Sequence, residues 1–237
     1  TLQQMVDDTI EVTNYLRDRF GEEKIYLAGN SWGSTLGVLT VQARPDLFHA
    51  FIGAGQMVSQ AETDRLFYQD TLAYAGRTGN WDLASTLMAA GEPPYDNVWL
   101  YEPVLAYERE WNDYERAPEY EAKGEMPANL FVREYTLLEK LHALPAFLDT
   151  FALLYPQLQE IDFREDVRNL DVPVYIVAGR HEARGRAVLA EEWFDLLGAP
   201  SKRWIEFEDS GHRPNFEEPE RFAEVMRDVL RDTYPGN

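Results

Sequence analysis

The fold is decided by residues 24–44, which read KIYLAGNSWGSTLGVLTVQAR. The run at its start, residues 24–28, is short and mostly apolar and predicts a β-strand. Residues 32–44 predict a helix that Pro45 ends, because a proline disfavours the helical conformation in the residue before it. A second apolar run at residues 48–55 predicts another strand. This order of strand, turn, helix and strand indicates a parallel sheet with crossover helices.

The same alternation continues on both sides of this stretch. A helix is expected at residues 2–20, where apolar positions recur at helical spacing and Gly21 supplies a stop. Two more strands and two more helices are expected in the last third of the chain, at residues 172–178, 187–197, 203–207 and 219–231. The sequence therefore predicts an α/β fold, with a mostly parallel sheet flanked by helices.

A different pattern occupies residues 60–165. This segment is rich in acidic and aromatic residues, and helical spacings alternate in it with loop signals. It contains no convincing alternating strand pattern, so we expect a mostly helical insertion. The predicted domains are an N-terminal part of a core (1–59), a helical cap (60–165) and a C-terminal part of the core (166–237).

The composition excludes several classes of function. With 22 basic and 42 acidic side chains the formal charge is −20, which disfavours nucleic acid and anionic membranes as partners. The chain has no cysteine, so disulfides and cysteine-based metal sites are excluded. No metal-ligand spacing and no membrane-spanning run are visible. We expect a soluble protein without metal or cofactor. No targeting signal is seen, but one could precede residue 1, so the compartment stays open with the cytoplasm as the default.

The sharpest chemical signal is a G-x-S-x-G motif at residues 29–33. It stands where the predicted strand gives way to the helix, as a nucleophile elbow requires. We expect a Cβ atom at Gly29 or at Gly33 to clash with neighbouring backbone, which accounts for both glycines. Ser31 is therefore the candidate nucleophile, and the amide of Trp32 is the candidate oxyanion donor. The alternative is a glycine-rich turn that only permits close packing.

A serine hydroxyl needs a base within hydrogen-bonding distance, and the chain has four histidines. His212 follows the last predicted strand and precedes the last helix, so it should lie at the same edge of the sheet as Ser31. His49 is expected at the opposite edge, and His142 belongs to the helical insertion. His181 is interpreted as a neighbour of the site. The sequence therefore predicts His212 as the general base.

The acid is expected in the loop after the strand at residues 172–178. Glu182 in that loop would accept a hydrogen bond from the imidazole and fix its tautomer. Two alternatives remain. Glu182 could be an exposed carboxylate beside Arg180 and Arg184, and Asp209 could be the acid, although it stands close to the histidine in sequence.

These residues carry a resemblance to the α/β-hydrolases. The order Ser31, Glu182, His212 is the nucleophile–acid–histidine order of that superfamily. Residues 29–34, GNSWGS, are similar to the G-x-S-W-G-S elbow of proline iminopeptidase and tripeptidyl-aminopeptidase-like serine hydrolases, and residues 210–212 resemble their histidine loop. The resemblance implies an α/β-hydrolase core with a helical cap, and catalysis through an acyl-enzyme.

Three departures from that branch are visible. Glu182 stands where aspartate is usual, and residues 53–57, GAGQM, lack the Arg-Gly pair associated with proline iminopeptidases. The first strands of the fold and a His-Gly-Gly oxyanion loop would precede residue 1. We therefore expect this chain to be the C-terminal part of a longer enzyme.

The resemblance favours aminopeptidase-like cleavage of amides in a short peptide or small amino-acid derivative. Glu102, Glu108 and Glu110 in the acidic insertion could bind a substrate ammonium, although charged runs on helices are usually solvated faces. One alternative is a carboxylesterase or lactonase that acts on small esters. Another is a catalytically silent relative that binds a ligand. The sequence leaves the oligomeric state open.

Overall fold

The computed structural model describes residues 1–111 and 133–235, with the side chains of residues 109, 110 and 144 outside the description. Its sheet has four parallel strands in the spatial order β1-β2-β3-β4, which confirms the predicted parallel arrangement. Both ends of each strand lie within a few residues of the ends predicted from the sequence. The strands are β1 (Ile25–Asn30), β2 (Phe48–Ala54), β3 (Val174–Gly179) and β4 (Lys202–Phe207).

The four predicted helices of the α/β part are present as α1, α2, α8 and α10. Gly21 ends α1 in the left-handed conformation with a φ of 69°, as its position after the apolar stripe predicts. None of the helices in the described part of the chain is long and apolar enough to cross a bilayer. The helices are α1 (Leu2–Phe20), α2 (Trp32–Ala43), α3 (Gln60–Thr78), α4 (Trp81–Ala90), α5 (Glu102–Trp111), α6 (Leu137–Leu158), α7 (Phe163–Asp166), α8 (Arg184–Leu196), α9 (Pro214–Glu217) and α10 (Pro219–Thr233).

Helices cover both faces of the sheet. Neighbouring residues of β2 point to opposite faces, so Phe51 packs with Trp193 of α8 on one face. Ile52 packs with Val229 of α10 on the other face. Two buried layers hold the strands in a fixed register, and this fixes the positions of the loops that leave them.

The described part of residues 60–165 is helical, as expected. Helices α3, α4 and α5 enclose an apolar cluster of their own, which includes Phe67, Leu87 and Val104. The two ends of the segment lie side by side, because Ser59 and Asp162 form an isolated antiparallel bridge. This closeness supports an insertion that leaves and re-enters the core at one place. The division at residues 59 and 165 stays a prediction.

The functional residues predicted from the sequence follow the carboxyl ends of the strands. Because all four strands run in one direction, these ends share one edge of the sheet. Ser31 follows β1, Glu182 follows β3 and His212 follows β4. Ligands bind at this edge in open α/β sheets.

Candidate active site

Ser31 is the single residue between β1 and α2, and its backbone conformation is unusual. Its φ of 55° and ψ of −126° lie outside the regions that non-glycine residues prefer. The Ser31 amide donates to the carbonyl of Ala54 at 3.0 Å, and the buried Ser34 hydroxyl donates to the Ser31 carbonyl at 2.6 Å. These bonds to β2 and to the first turn of α2 hold the strained turn in place.

The two glycines of the motif contribute differently. A Cβ atom at Gly29 would lie 2.2 Å from the carbonyl oxygen of Gly33 and 2.8 Å from the amide nitrogen of Ser34. A Cβ atom at Gly33 would meet no described atom within 4 Å outside its chain neighbours and the backbone of its own helix. The expectation that a clash requires glycine at both positions is therefore wrong for Gly33. The start of α2 passes directly over residue 29, whereas residue 33 faces open space in the described structure.

His212 lies in the loop after β4, and its ring reaches the serine. Its Nε2 atom is 2.7 Å from Ser31 Oγ. The loop is held from behind, because the Gly211 amide donates to the Glu217 carboxylate at 2.5 Å. From the other side, Gly55 approaches so closely that a Cβ atom there would lie 2.4 Å from the His212 carbonyl oxygen. The loop that carries His212 is thus confined between Gly55, which follows β2, and the short helix α9.

Glu182, in the turn after β3, lies on the far side of the imidazole. Its Oε2 atom is 2.5 Å from His212 Nδ1, and its side chain is only 6% exposed. Glu182 is therefore not the exposed carboxylate of the alternative interpretation. Arg180 and Arg184 form ion pairs with other carboxylates. The three side chains Ser31, His212 and Glu182 form one hydrogen-bonded row.

The other candidates from the sequence lie apart from this row. His49, at the start of β2, packs between the rings of Tyr26 and Tyr234, with centroid distances of 5.1 and 5.6 Å. His142 lies on α6. Asp209 donates its main-chain N–H to Glu218. The structure thus brings together Ser31, Glu182 and His212 from loops after three different strands.

Glu182 has a second partner, Arg186 on α8, which sequence reasoning missed. Arg186 Nε donates to Glu182 Oε1 at 2.8 Å, and Arg186 Nη2 donates to Glu108 of α5. The guanidinium carbon lies 4.8 Å from the centre of the Phe67 ring. Its side chain is 7% exposed, so this is a buried cation between two carboxylates. In the sequence, only the four-residue spacing of Glu182 and Arg186 could have indicated that these two side chains pair.

The pairing sets the charge state of both groups. Burial alone would raise the pKa of Glu182, but the charges of Arg186 and His212 outweigh it and lower the pKa to about 2. Burial likewise lowers the pKa of Arg186, and Glu182 and Glu108 more than offset it, so that pKa is raised. Both groups are therefore charged throughout the neutral pH range.

The three glutamates predicted to bind a substrate ammonium have different surroundings. Glu108 is ion-paired with Arg186, so a substrate ammonium would have to share this carboxylate. Glu102 is exposed at the start of α5. Glu110 belongs to the same helix, but its side chain lies outside the described residues. Substrate binding by these glutamates stays a prediction.

A cavity of about 450 Å³ opens beside Ser31, between the elbow and the helices of residues 60–165. Its walls are mostly apolar, and the charged groups among the described residues that line it are Asp64 and Arg186. Size and lining are typical of a small-molecule site. The principal apolar lining residues are Trp32, Met57, Phe67, Leu105, Phe147, Phe151 and Leu154.

The row of side chains is suited to removing a proton from a hydroxyl. The imidazole can accept the Ser31 proton, and the carboxylate on its other nitrogen stabilises the positive charge that results. Trp32, the first residue of α2, has a main-chain N–H with no acceptor inside the helix. In residues 1–111 and 133–235, no three histidine, aspartate or glutamate side chains are grouped to hold a metal ion.

The sequence profile of the alpha/beta hydrolase family matches residues 1–225. The chain belongs to this family, as the elbow and the order of the site residues predict. A protein of Bacillus subtilis (strain 168) described as a probable aminopeptidase, YbaC, is 29% identical over 229 residues. The match covers 95% of this chain and 71% of that protein.

Solved structures show the same fold at lower identity. A proline iminopeptidase-related protein of Thermus thermophilus is 17% identical with a TM-score of 0.59, over 99% of this chain and 72% of that one. The proline iminopeptidase of Mycobacterium smegmatis is 18% identical with a TM-score of 0.58, over 98% and 72%. Est816, described as an N-acyl homoserine lactone degrading enzyme, is 17% identical with a TM-score of 0.57, over 96% and 74%. These relatives confirm the α/β-hydrolase fold.

The crossing of α2 over β1 predicts unequal tolerance of the two motif glycines. We expect Gly29→Ala to lower the free energy of unfolding by roughly 3 kcal/mol or to prevent folding, because the new methyl overlaps main-chain atoms that cannot move aside. Gly33→Ala should change it by less than about 1 kcal/mol, since the position is open and alanine favours helix. Urea unfolding of the two variants measures this difference. Equal destabilisation would contradict the geometry of the turn.

The buried charge of Glu182 predicts a pH-dependent contribution to stability. Its pKa falls from 4.5 to about 2 on folding, so its ionisation stabilises the folded chain above pH 4.5 and this gain is lost as the pH falls toward 2. The difference in unfolding free energy between wild type and Glu182→Gln should therefore shrink by about 2 kcal/mol from pH 6 to pH 3. Glu208→Gln removes a half-exposed carboxylate and should show no comparable change. A pH-independent difference for Glu182→Gln would refute this electrostatic role.

Proposed function

We propose that the protein is a serine hydrolase that works through an acyl-enzyme. Ser31 is the nucleophile, His212 is the general base and Glu182 is the acid that orients the imidazole. The observation that carries the proposal is the continuous row of contacts, 2.7 Å from Ser31 Oγ to His212 Nε2 and 2.5 Å from His212 Nδ1 to Glu182 Oε2. Membership of the alpha/beta hydrolase family supports the same chemistry.

In the first half-reaction Ser31 Oγ bonds to the carbonyl carbon of the substrate while its proton passes to His212 Nε2. The carbonyl electron pair moves onto oxygen, and the main-chain N–H of Trp32 donates a hydrogen bond to the oxyanion. The bond to the leaving group then breaks, and His212 returns the proton to the departing amine or alcohol. The acyl group remains esterified to Ser31.

In the second half-reaction water adds to the acyl-enzyme as His212 accepts one of its protons. The ester bond to Ser31 breaks, the serine recovers a proton from His212, and a carboxylic acid is released. In both halves the imidazolium is stabilised by Glu182, whose buried carboxylate stays ionised because Arg186 balances its charge. Arg186 thereby positions Glu182, since it fixes one carboxylate oxygen and leaves the other for His212.

We assign amide cleavage of the aminopeptidase type as the finer function. The Bacillus subtilis relative described as a probable aminopeptidase supports this choice, as does the acidic composition of residues 60–165, whose described helices line the cavity. A carboxylesterase or lactonase is the second candidate, because the walls that Phe147, Phe151 and Leu154 contribute would suit an apolar acyl group. The substrate in either case is a small molecule or short peptide that fits a cavity of about 450 Å³.

A fluorophosphonate probe, which bonds covalently to an activated serine, tests the catalytic row. We expect the wild-type protein to be labelled at Ser31 and Ser31→Ala to remain unlabelled. His212→Gln should slow labelling by at least about 100-fold, because the general base is lost. His142→Gln is the matched control, since it alters a histidine on α6, and its rate should stay within about twofold of wild type. Labelling that is unchanged in His212→Gln would overturn the proposal.

The finer function is tested with paired substrates. Leucine 4-nitroanilide has a free α-amine, whereas in N-acetylleucine 4-nitroanilide the amine is acylated and carries no charge. An aminopeptidase should show a kcat/KM at least about 10-fold higher for the free amine, because charge recognition adds to transition-state binding. Equal values for the two anilides, together with faster hydrolysis of 4-nitrophenyl butyrate, would favour the esterase candidate instead.

A further inference from the structure

A second buried carboxylate, Asp64 on α3, lines the cavity beside Ser31 and has no role in the row of three side chains. It is 3% exposed. Its Oδ1 atom accepts from Gln60 Nε2 at 2.8 Å and from the Tyr155 hydroxyl at 2.7 Å. Its Oδ2 atom accepts from Gln159 Nε2 at 2.8 Å. A carboxylate offers about four acceptor positions, so one position on Oδ2 is still available.

All three of these partners are neutral. Burying a carboxylate without a cation is costly, and the usual remedy is an ion pair. Glu182 and Glu108 have such an ion pair, because both contact the guanidinium of Arg186. Among the described residues no such cation accompanies Asp64, and burial, only partly offset by its three donors, raises its pKa to about 6. The carboxylate is thus positioned and hydrogen-bonded, but its charge is left uncompensated.

The surroundings of Asp64 suit a cation better than a neutral group. Its partner Tyr155 packs against Phe151 in a tilted arrangement with a centroid distance of 4.5 Å, and the ring of Phe147 lies 6.4 Å from that of Phe151. All three rings line the cavity. Aromatic faces attract ammonium groups electrostatically, and this attraction increases when water is excluded. A carboxylate beside an aromatic wall therefore provides both parts of an ammonium site.

A purely structural role, in which Asp64 ties α3 to α6, would explain the bonds to Tyr155 and Gln159. It would not explain the choice of a charged acceptor, because an asparagine could also join α3 to α6 at a lower desolvation cost, with its Oδ1 accepting from Tyr155 and its amide donating to a reoriented Gln159. Gln159 even retains a buried Oε1 atom with no partner in the described residues, to which an asparagine amide could donate. A structural link between α3 and α6 therefore does not explain why residue 64 is a charged aspartate.

We propose that Asp64 anchors the primary ammonium group of the substrate within the cavity that opens at Ser31. The free position on Oδ2 accepts one ammonium N–H, and the rings of Tyr155 and Phe151 face the remaining charge. The substrate class is then a compound with a free amine and an apolar side chain, such as an N-terminal residue. This inference rests on the proposed function, since it assigns the group that would select unblocked peptides.

Isothermal titration calorimetry near pH 7 tests the anchor with leucinamide and its uncharged analogue N-acetylleucinamide. Every protein titrated carries Ser31→Ala, so that neither ligand is hydrolysed, and wild type in this comparison means the protein with Asp64 and Asp70 unchanged. Wild type should bind leucinamide at least about 10-fold more tightly than the analogue. Asp64→Asn should lose that preference, with the Kd for leucinamide rising roughly 10- to 100-fold, because the charge-assisted bond is removed. Asp70→Asn is the matched control, since Asp70 lies on the same helix and pairs with Arg184. It should bind both ligands as wild type does.

Asp64→Asn is expected to fold, because its Oδ1 atom can still accept from Gln60 and Tyr155, and its thermal unfolding checks this. Should the variant fail to fold, the comparison of the two ligands on wild type still tests whether the protein prefers a charged amine. Equal affinity of wild type for both ligands would overturn the proposal, and so would an unchanged preference in folded Asp64→Asn. Calorimetry requires no turnover, so its result is separate from fluorophosphonate labelling. Amine binding without labelling would refute the hydrolase proposal and retain the Asp64 site.

Discussion

The buried carboxylate of Glu182 is the constraint on which the site depends. One of its oxygens contacts His212 and the other contacts Arg186, so it links the loop after β4 to helix α8. Through Arg186 the same charge reaches Glu108 on α5 in the helical segment. A buried ion is stable only when its partners are all in place. The position of the imidazole therefore depends on elements far apart in sequence, and α5 shares in the charge balance of the site.

Close main-chain approach is the second requirement, and glycines provide it at selected points. Gly29 lets the start of α2 pass over β1, and Gly55 lets the loop after β2 touch His212. Gly179, at the end of β3, admits the carbonyl of Gly211, which a Cβ atom would meet at 2.0 Å. The contacts of Gly55 and Gly179 draw together the three loops that follow β2, β3 and β4. The strained backbone of Ser31 is tolerated because this packing and the bond to Ala54 hold it.

Local patterns in the sequence were sufficient for the alternating strands and helices, for the elbow at Ser31 and for the loops that carry Glu182 and His212. These features depend on neighbours in the chain and on the common direction of parallel strands. Arg186 and Asp64 could not be found in this way. Asp64 is one of 42 acidic residues, and its burial depends on Tyr155 and Gln159, some ninety residues away. The role of Gly33 was misjudged for the same reason, since the course of the backbone over the turn is a three-dimensional property.

To activate Ser31, the imidazole of His212 must hold its proton toward Glu182 and offer its other nitrogen to the serine hydroxyl. Nitrogen-15 NMR of protein labelled in histidine measures this tautomer directly. For neutral His212 we expect a protonated Nδ1, with a strongly downfield-shifted proton from the short contact with Glu182, and an unprotonated Nε2. A neutral ring that carries its proton on Nε2 would contradict the role of His212 as general base, because that nitrogen could not then accept the proton of Ser31.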